Sequence, residues 1–171
     1  MRKLYALLLT VVMVVGLSLT AFGSASPQGV AKSSVNAVSV SGVAGLSVSQ
    51  ATTNVVLEAQ GLAGNPERLA SLGIAAGAHV AAVVDISFSG EIPAGGAKIP
   101  VTVNNANVGD YVYIVHRNSV TGTWEVVGQG VLGADMTIVG TFLNFSPVMI
   151  MVVPAADFAA AGVRAPRTGE F

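Results

Sequence analysis

The sequence predicts a mainly β fold, an Ig-like antiparallel β-sandwich with a short helical element before it. Three observations carry that prediction. Short apolar runs recur from His79 to Val153, and polar or glycine-bearing turns separate them at close, regular spacing. Several of these runs alternate, with period two. The composition is 52% hydrophobic with only 10% charge, and much of it is Val, Ala, Gly, Ser and Thr, which suits strands and turns.

The elements follow in order. Residues 26–50 are Ser, Val, Ala and Gly rich and read either as a flexible lead-in or as one edge strand. Residues 51–78 form a short helical segment. Within it, Ala51 to Leu62 fits helix or strand, and both stay open. Asn65-Pro66-Glu67 is a helix start, with Asn65 as cap, Pro66 at the first helical position and Glu67 in the first turn. Leu69 and Leu72 share a face and Gly73 stops the helix, which is expected to pack against the edge of the following sheet.

Residues 79–153 form the sandwich, of six to eight strands. Val84, Ile86 and Phe88 share one face of the first long strand. Ile99, Val101 and Val103 alternate in the next, where Pro100 cannot donate to a ladder and must turn its nitrogen to an edge or bulge. Tyr111 to Arg117 places Val112 and Ile114 on one face and Tyr111, Tyr113 and Val115 on the other. Asn118 to Gly122 turns the chain into a hairpin partner in which Trp124 and Val126 point inward. Met136 to Phe142 and Pro147 to Val153 complete the set. Residues 154–171 are Ala, Gly and Pro rich and read as a flexible tail.

Residues 1–25 read as a secretory signal peptide. Arg2 and Lys3 give the positive start, and Leu4 to Val15 is an apolar run of about 12 residues, short of the roughly 20 that span a bilayer. Gly23-Ser24-Ala25 supplies small residues for cleavage after Ala25. Without Arg2 and Lys3 the 8 basic residues become 6, against 9 acidic ones, a balance that argues against nucleic acid and anionic membrane surfaces. Cysteine is absent, so neither disulfides nor a lipoprotein anchor is available. No second long apolar segment follows, so no membrane span is expected in the mature chain.

Residues 85–153 resemble a β-sandwich module that recurs in secreted and wall-attached proteins of Gram-positive gut bacteria. The residues that carry the resemblance are Gly90-Glu91-Ile92-Pro93, Val108-Gly109-Asp110-Tyr111-Val112, Ile114-Val115-His116, Gly122-Thr123-Trp124-Glu125-Val126-Val127 and Thr141-Phe142 with Ser146-Pro147-Val148. Asn144 departs from the serine expected in the last of these. Pro166-Arg167-Thr168-Gly169-Glu170 is similar to the sortase recognition core that such modules commonly carry, with Ala165 where leucine is usual. A working sorting signal also needs an apolar span and a basic tail after the motif. A genuine signal in a truncated record and a vestigial or chance match both stay open. The resemblance implies a secreted or wall-displayed module, structural or adhesive, with sortase and peptidoglycan as partners, or a glycan or host surface protein. It implies no catalytic residues.

The residues themselves point to no enzyme, metal or cofactor. Asp110, His116 and Ser119 are the residue types of a triad, but nothing orients a nucleophile. His79, Asp85, Glu91 and His116 lack metal-ligand spacing, and Asn104, Asn105, Asn107 and Asp110 read as an Asn-rich turn rather than a calcium loop. The alternative function is a carbohydrate-binding module using exposed aromatic residues. Its candidate ligand contacts are Tyr111, Tyr113 and His116, with Trp124 beside them. Aromatic rings wholly inside would reject that platform.

Overall fold

The computed structural model describes residues 35–160, and they form a mainly β sandwich of two antiparallel sheets covered on one side by helices. A 3-10 turn at Val35–Ala37 leads into β1 (Val38–Val40) and β2 (Leu46–Gln50). Next come α1 (Thr53–Ala63) and α2 (Pro66–Ser71). Then follow β3 (His79–Phe88), β4 (Ala97–Val103), β5 (Tyr111–Arg117), β6 (Trp124–Val131), β7 (Thr137–Phe142) and β8 (Pro147–Val153). A short helix, α3 (Ala155–Ala160), ends the described part. One sheet has the order β1-β4-β7 and the other β2-β3-β8-β5-β6, with every pairing antiparallel.

The central strands of the larger sheet explain its position. In β8, Val148, Ile150 and Val152 face the smaller sheet, while Met149, Met151 and Val153 face the helices. β5 divides in the same way, with Val112 and Ile114 on the inter-sheet side and Tyr111, Tyr113 and Val115 on the helical side. A strand covered on both faces reads as a continuous apolar run, as Val148-Met149-Ile150-Met151-Val152-Val153 does. The smaller sheet needs burial on one face only, so β4 alternates, with Ile99, Val101 and Val103 fully buried and Lys98 exposed.

The helical layer differs from expectation in three ways. Ala51 to Leu62 resolves as helix, since Val56, Ala59 and Leu62 are buried at a spacing of three and share one face. Asn65 caps α2 as read, its Oδ1 accepting from Arg68 N at 3.0 Å. The helices, however, cover the face of the larger sheet and not its edge, because Met149, Met151 and Val115 would otherwise lie in water. Last, residues 155–160 are helical where a flexible tail was expected. Phe158 supplies the reason, stacking on Tyr111 with ring centres 4.3 Å apart. Residues 26–34, the signal segment and Pro166 to Glu170 lie outside the described residues.

The lead-in contributes two edge strands, one to each sheet, where a single one was expected. Pro100 behaves as its chemistry requires. Its carbonyl accepts from Ser41 N at 3.3 Å, the reciprocal bond cannot form, and β1 ends at Val40. At the other side of the sandwich a bulge leaves Val127 as an extra residue in β6, since Ile114 pairs with Gly128 and Val115 with Val126. There β6 crosses close to β7. A Cβ on Gly128 would lie 2.6 Å from the Val139 carbonyl oxygen and 2.9 Å from the Gly140 Cα.

That close approach is backbone against backbone, so neither side can yield cheaply. Gly128→Ala is expected to cost about 1–3 kcal/mol in urea denaturation, as overpacking does. Phe158→Ala is expected to cost about 3 kcal/mol by uncovering Tyr111, which a truly flexible tail would not. An unchanged midpoint in either variant would contradict the packing described.

Candidate functional site

The residues named as ligand contacts are inside the protein. Tyr111, Tyr113, His116 and Trp124 expose 5%, 3%, 1% and 6% of their surface. The aromatic platform is thereby overturned, because the three helices lie over the face that would have presented it. Tyr113 Oη accepts from Ala75 N at 3.1 Å, and Tyr111 packs between Tyr113 and Phe158. Burial, followed by the nearby Tyr113, pushes the Tyr111 hydroxyl above its usual proton affinity.

Two polar clusters occupy opposite faces of the β5–β6 hairpin. On the helical face, Arg117 pairs with Trp124 in register, and both reach Glu58 of α1. Arg117 Nε donates to Glu58 Oε1 at 3.1 Å and Oε2 at 3.0 Å, and Trp124 Nε1 donates to Oε1 at 3.0 Å. One carboxylate thus meets the indole N–H and the guanidinium together, and α1 is fixed over the hairpin. A shallow cavity of about 260 Å³ lies beside it, with Leu62, Arg68, Leu72 and Trp124 among its walls.

On the inter-sheet face, His116 pairs with Glu125 in register, and His116 Nδ1 lies 3.2 Å from Glu125 Oε1. His116 Nε2 lies 2.9 Å from Ser146 Oγ, and that hydroxyl also contacts the Arg117 carbonyl oxygen. The Phe142 ring meets the imidazole edge-on, with centres 5.7 Å apart. Asn118 donates from Nδ2 to Glu125 Oε1 at 3.4 Å, while its Oδ1 accepts from Val120 N and Thr121 N. Gly122 closes that turn at a φ of 69°, a conformation that side chains disfavour. Ser119 donates from N and Oγ to Asn144 Oδ1, so the departing residue of the motif joins the two loops.

Carboxylate, imidazole and hydroxyl stand in the order of a nucleophilic relay, but the relay is enclosed. Ser146 is itself buried and engaged with the Arg117 carbonyl. The arrangement joins β5, β6 and the β7–β8 connection. Asp110 and Ser119 take no part in it. Asp110 Oδ2 accepts from Asn107 N at 2.8 Å and Asn107 Nδ2 at 3.3 Å, and its Oδ1 accepts from Ala155 N at 3.0 Å. Its oxygens close the turn and hold the start of α3. Among the described residues, no group of three or more His, Cys, Asp or Glu could hold a metal ion. Nor is any described helix long and apolar enough to cross a membrane.

Sequence reasoning named Glu125 and Ser146 as motif residues without linking them to His116, and gave Glu58 no role. The signal for Glu125 was present, since a hairpin through Asn118 to Gly122 brings it opposite His116. Glu58 carried no such signal, because its helix was itself undecided. No protein-family model, no curated protein and no solved structure matches this chain.

Burial lowers the proton affinity of His116, and the hydrogen bond and charge of Glu125 oppose that only in part. The unfolded chain therefore takes the proton first as pH falls through 6.5. Stability is fullest above that value and is lost as pH drops below it, until the folded histidine is also protonated. Urea midpoints between about pH 8 and about pH 5 should show this loss, and His116→Gln should remove its share. The difference isolates the histidine from Asp85, whose carboxyl is raised by burial. Glu58→Ala is expected to cost about 1–2 kcal/mol, discounted because Glu58 and Arg117 are each about a third exposed. A double-mutant cycle with Arg117→Ala should show coupling between them.

Proposed function

We propose that this protein is an exported surface module of a Gram-positive bacterium, structural or adhesive, held at the wall or released. The observation that carries the reading is the secretory pattern of Arg2-Lys3, the apolar run Leu4 to Val15 and the small residues Gly23-Ser24-Ala25. Pro166 to Glu170 supports wall attachment, with sortase and peptidoglycan as the partners. A fold held by a wide apolar core and buried polar ties suits life outside the cell without disulfides. The motif residues Asp110, His116, Trp124, Glu125 and Ser146 serve that fold as ties between its elements. Adhesion would then fall to the exposed loops, where Val120 and Leu143 stand 86% and 65% exposed.

The test is expression of the whole sequence in a Gram-positive host, with mass spectrometry of cytoplasm, wall and medium. A mature chain starting at Ser26 in the wall or medium is expected. An intact chain kept in the cytoplasm with Met1 to Ala25 attached would overturn export. Recovery from the medium alone would leave export standing and remove wall attachment.

A further inference from the structure

The ring of His116 has two polar neighbours, and Ser146 has two acceptors within reach but one proton. With Nδ1–H donated to Glu125, a neutral ring has a bare Nε2 that only the Ser146 hydroxyl can serve. The Arg117 carbonyl then loses that proton. When the ring is protonated, Nε2–H donates to Ser146 Oγ and the serine proton is free for the Arg117 carbonyl. The other neutral tautomer would set the Nδ1 lone pair against a carboxylate and is disfavoured.

We propose that Ser146 is a proton-operated hydroxyl switch, which donates to His116 Nε2 when the imidazole is neutral and to the Arg117 carbonyl when it is charged. The switch changes how the β7–β8 connection, and with it exposed Leu143, is gripped by β5. The serine makes one bond to this cluster in the neutral state and two in the charged one, so it favours proton uptake. Burial opposes that uptake, and the hydrogen bond and charge of Glu125 favour it.

The other charged groups nearby are accounted for. Glu125 of β6 faces the ring directly. Arg117 of β5 and Glu58 of α1 pair on the opposite face. Asp85 of β3 alternates with Val84 and Ile86, which line the inter-sheet core, and so turns to the helical side. From β7 and β8 the ring meets Phe142 and pairs in register with Val148, neither of which titrates.

Nitrogen NMR on the intact chain labelled in histidine reads the switch directly, with His79 as the second signal. Above the transition His116 is expected to carry its proton on Nδ1. On acidification Nε2 should gain a proton while Nδ1 keeps its own, with the fold retained. Ser146→Ala should lower the proton affinity of His116 on the order of tenfold, about one pH unit, and Ser146→Thr should restore it. A neutral ring protonated on Nε2, or a folded Ser146→Ala protein with an unmoved midpoint, would overturn the proposal. Should Ser146→Ala not fold, Ser146→Thr and Glu125→Gln decide. Loss of affinity with Glu125→Gln and retention with Ser146→Thr support the switch, and any other pattern overturns it.

Discussion

The structure depends on one constraint, that β8 and β5 must be covered on both faces. Val148, Ile150 and Val152 leave half of β8 to be buried by a second sheet, and Met149, Met151 and Val153 leave the other half. Each such side chain, if left in water, forgoes about 1.5–3 kcal/mol. A plain two-sheet sandwich would expose one set. The helices before β3 and the short helix after β8 remove that cost from the two ends of the same chain. Phe158 therefore belongs to the core as much as any strand residue does.

Covering the sheet on both sides creates a second demand, since polar groups trapped there need partners. The β5–β6 hairpin meets it by sorting its register pairs. Arg117 and Trp124 face the helices and find Glu58, while His116 faces the smaller sheet and meets Glu125 and Ser146. The exposed part of each cluster differs. Glu125 is 43% exposed on its side chain, whereas that of its partner histidine is 1% exposed. An end of the sandwich is also filled by rings, with Phe142 against Phe145 and Phe145 against Phe88.

The strands were legible because alternation records burial, and β3, β4 and β5 were read with the correct residues on each face. What the sequence could not say was what lay on the second face. Tyr111 and Tyr113 stood opposite Val112 and Ile114 in either account. Their exposure turned on whether α1, α2 and α3 covered them, which is a matter of tertiary packing. Residues 51–62 stayed undecided for a related reason, since Val55, Val56 and Leu57 fit either period and the helical face, Val56, Ala59 and Leu62, has a small residue at its centre. The helix at Ala155–Ala160 has a composition that suits a linker equally well, and a single phenylalanine decides it.

The candidate site shows the same limit from the chemical side. Asp110 and Ser119 were neighbours of His116 in sequence, whereas its partners come from the next strand and from a loop 30 residues on. The motif that marked a resemblance turns out to be a set of ties. Asp110 holds the start of α3, Trp124 holds α1, and His116, Glu125 and Ser146 hold a hairpin to a loop. Among the described residues, Val120 and Leu143 are the most exposed of the large apolar side chains, and both lie in the loops that these ties hold in place.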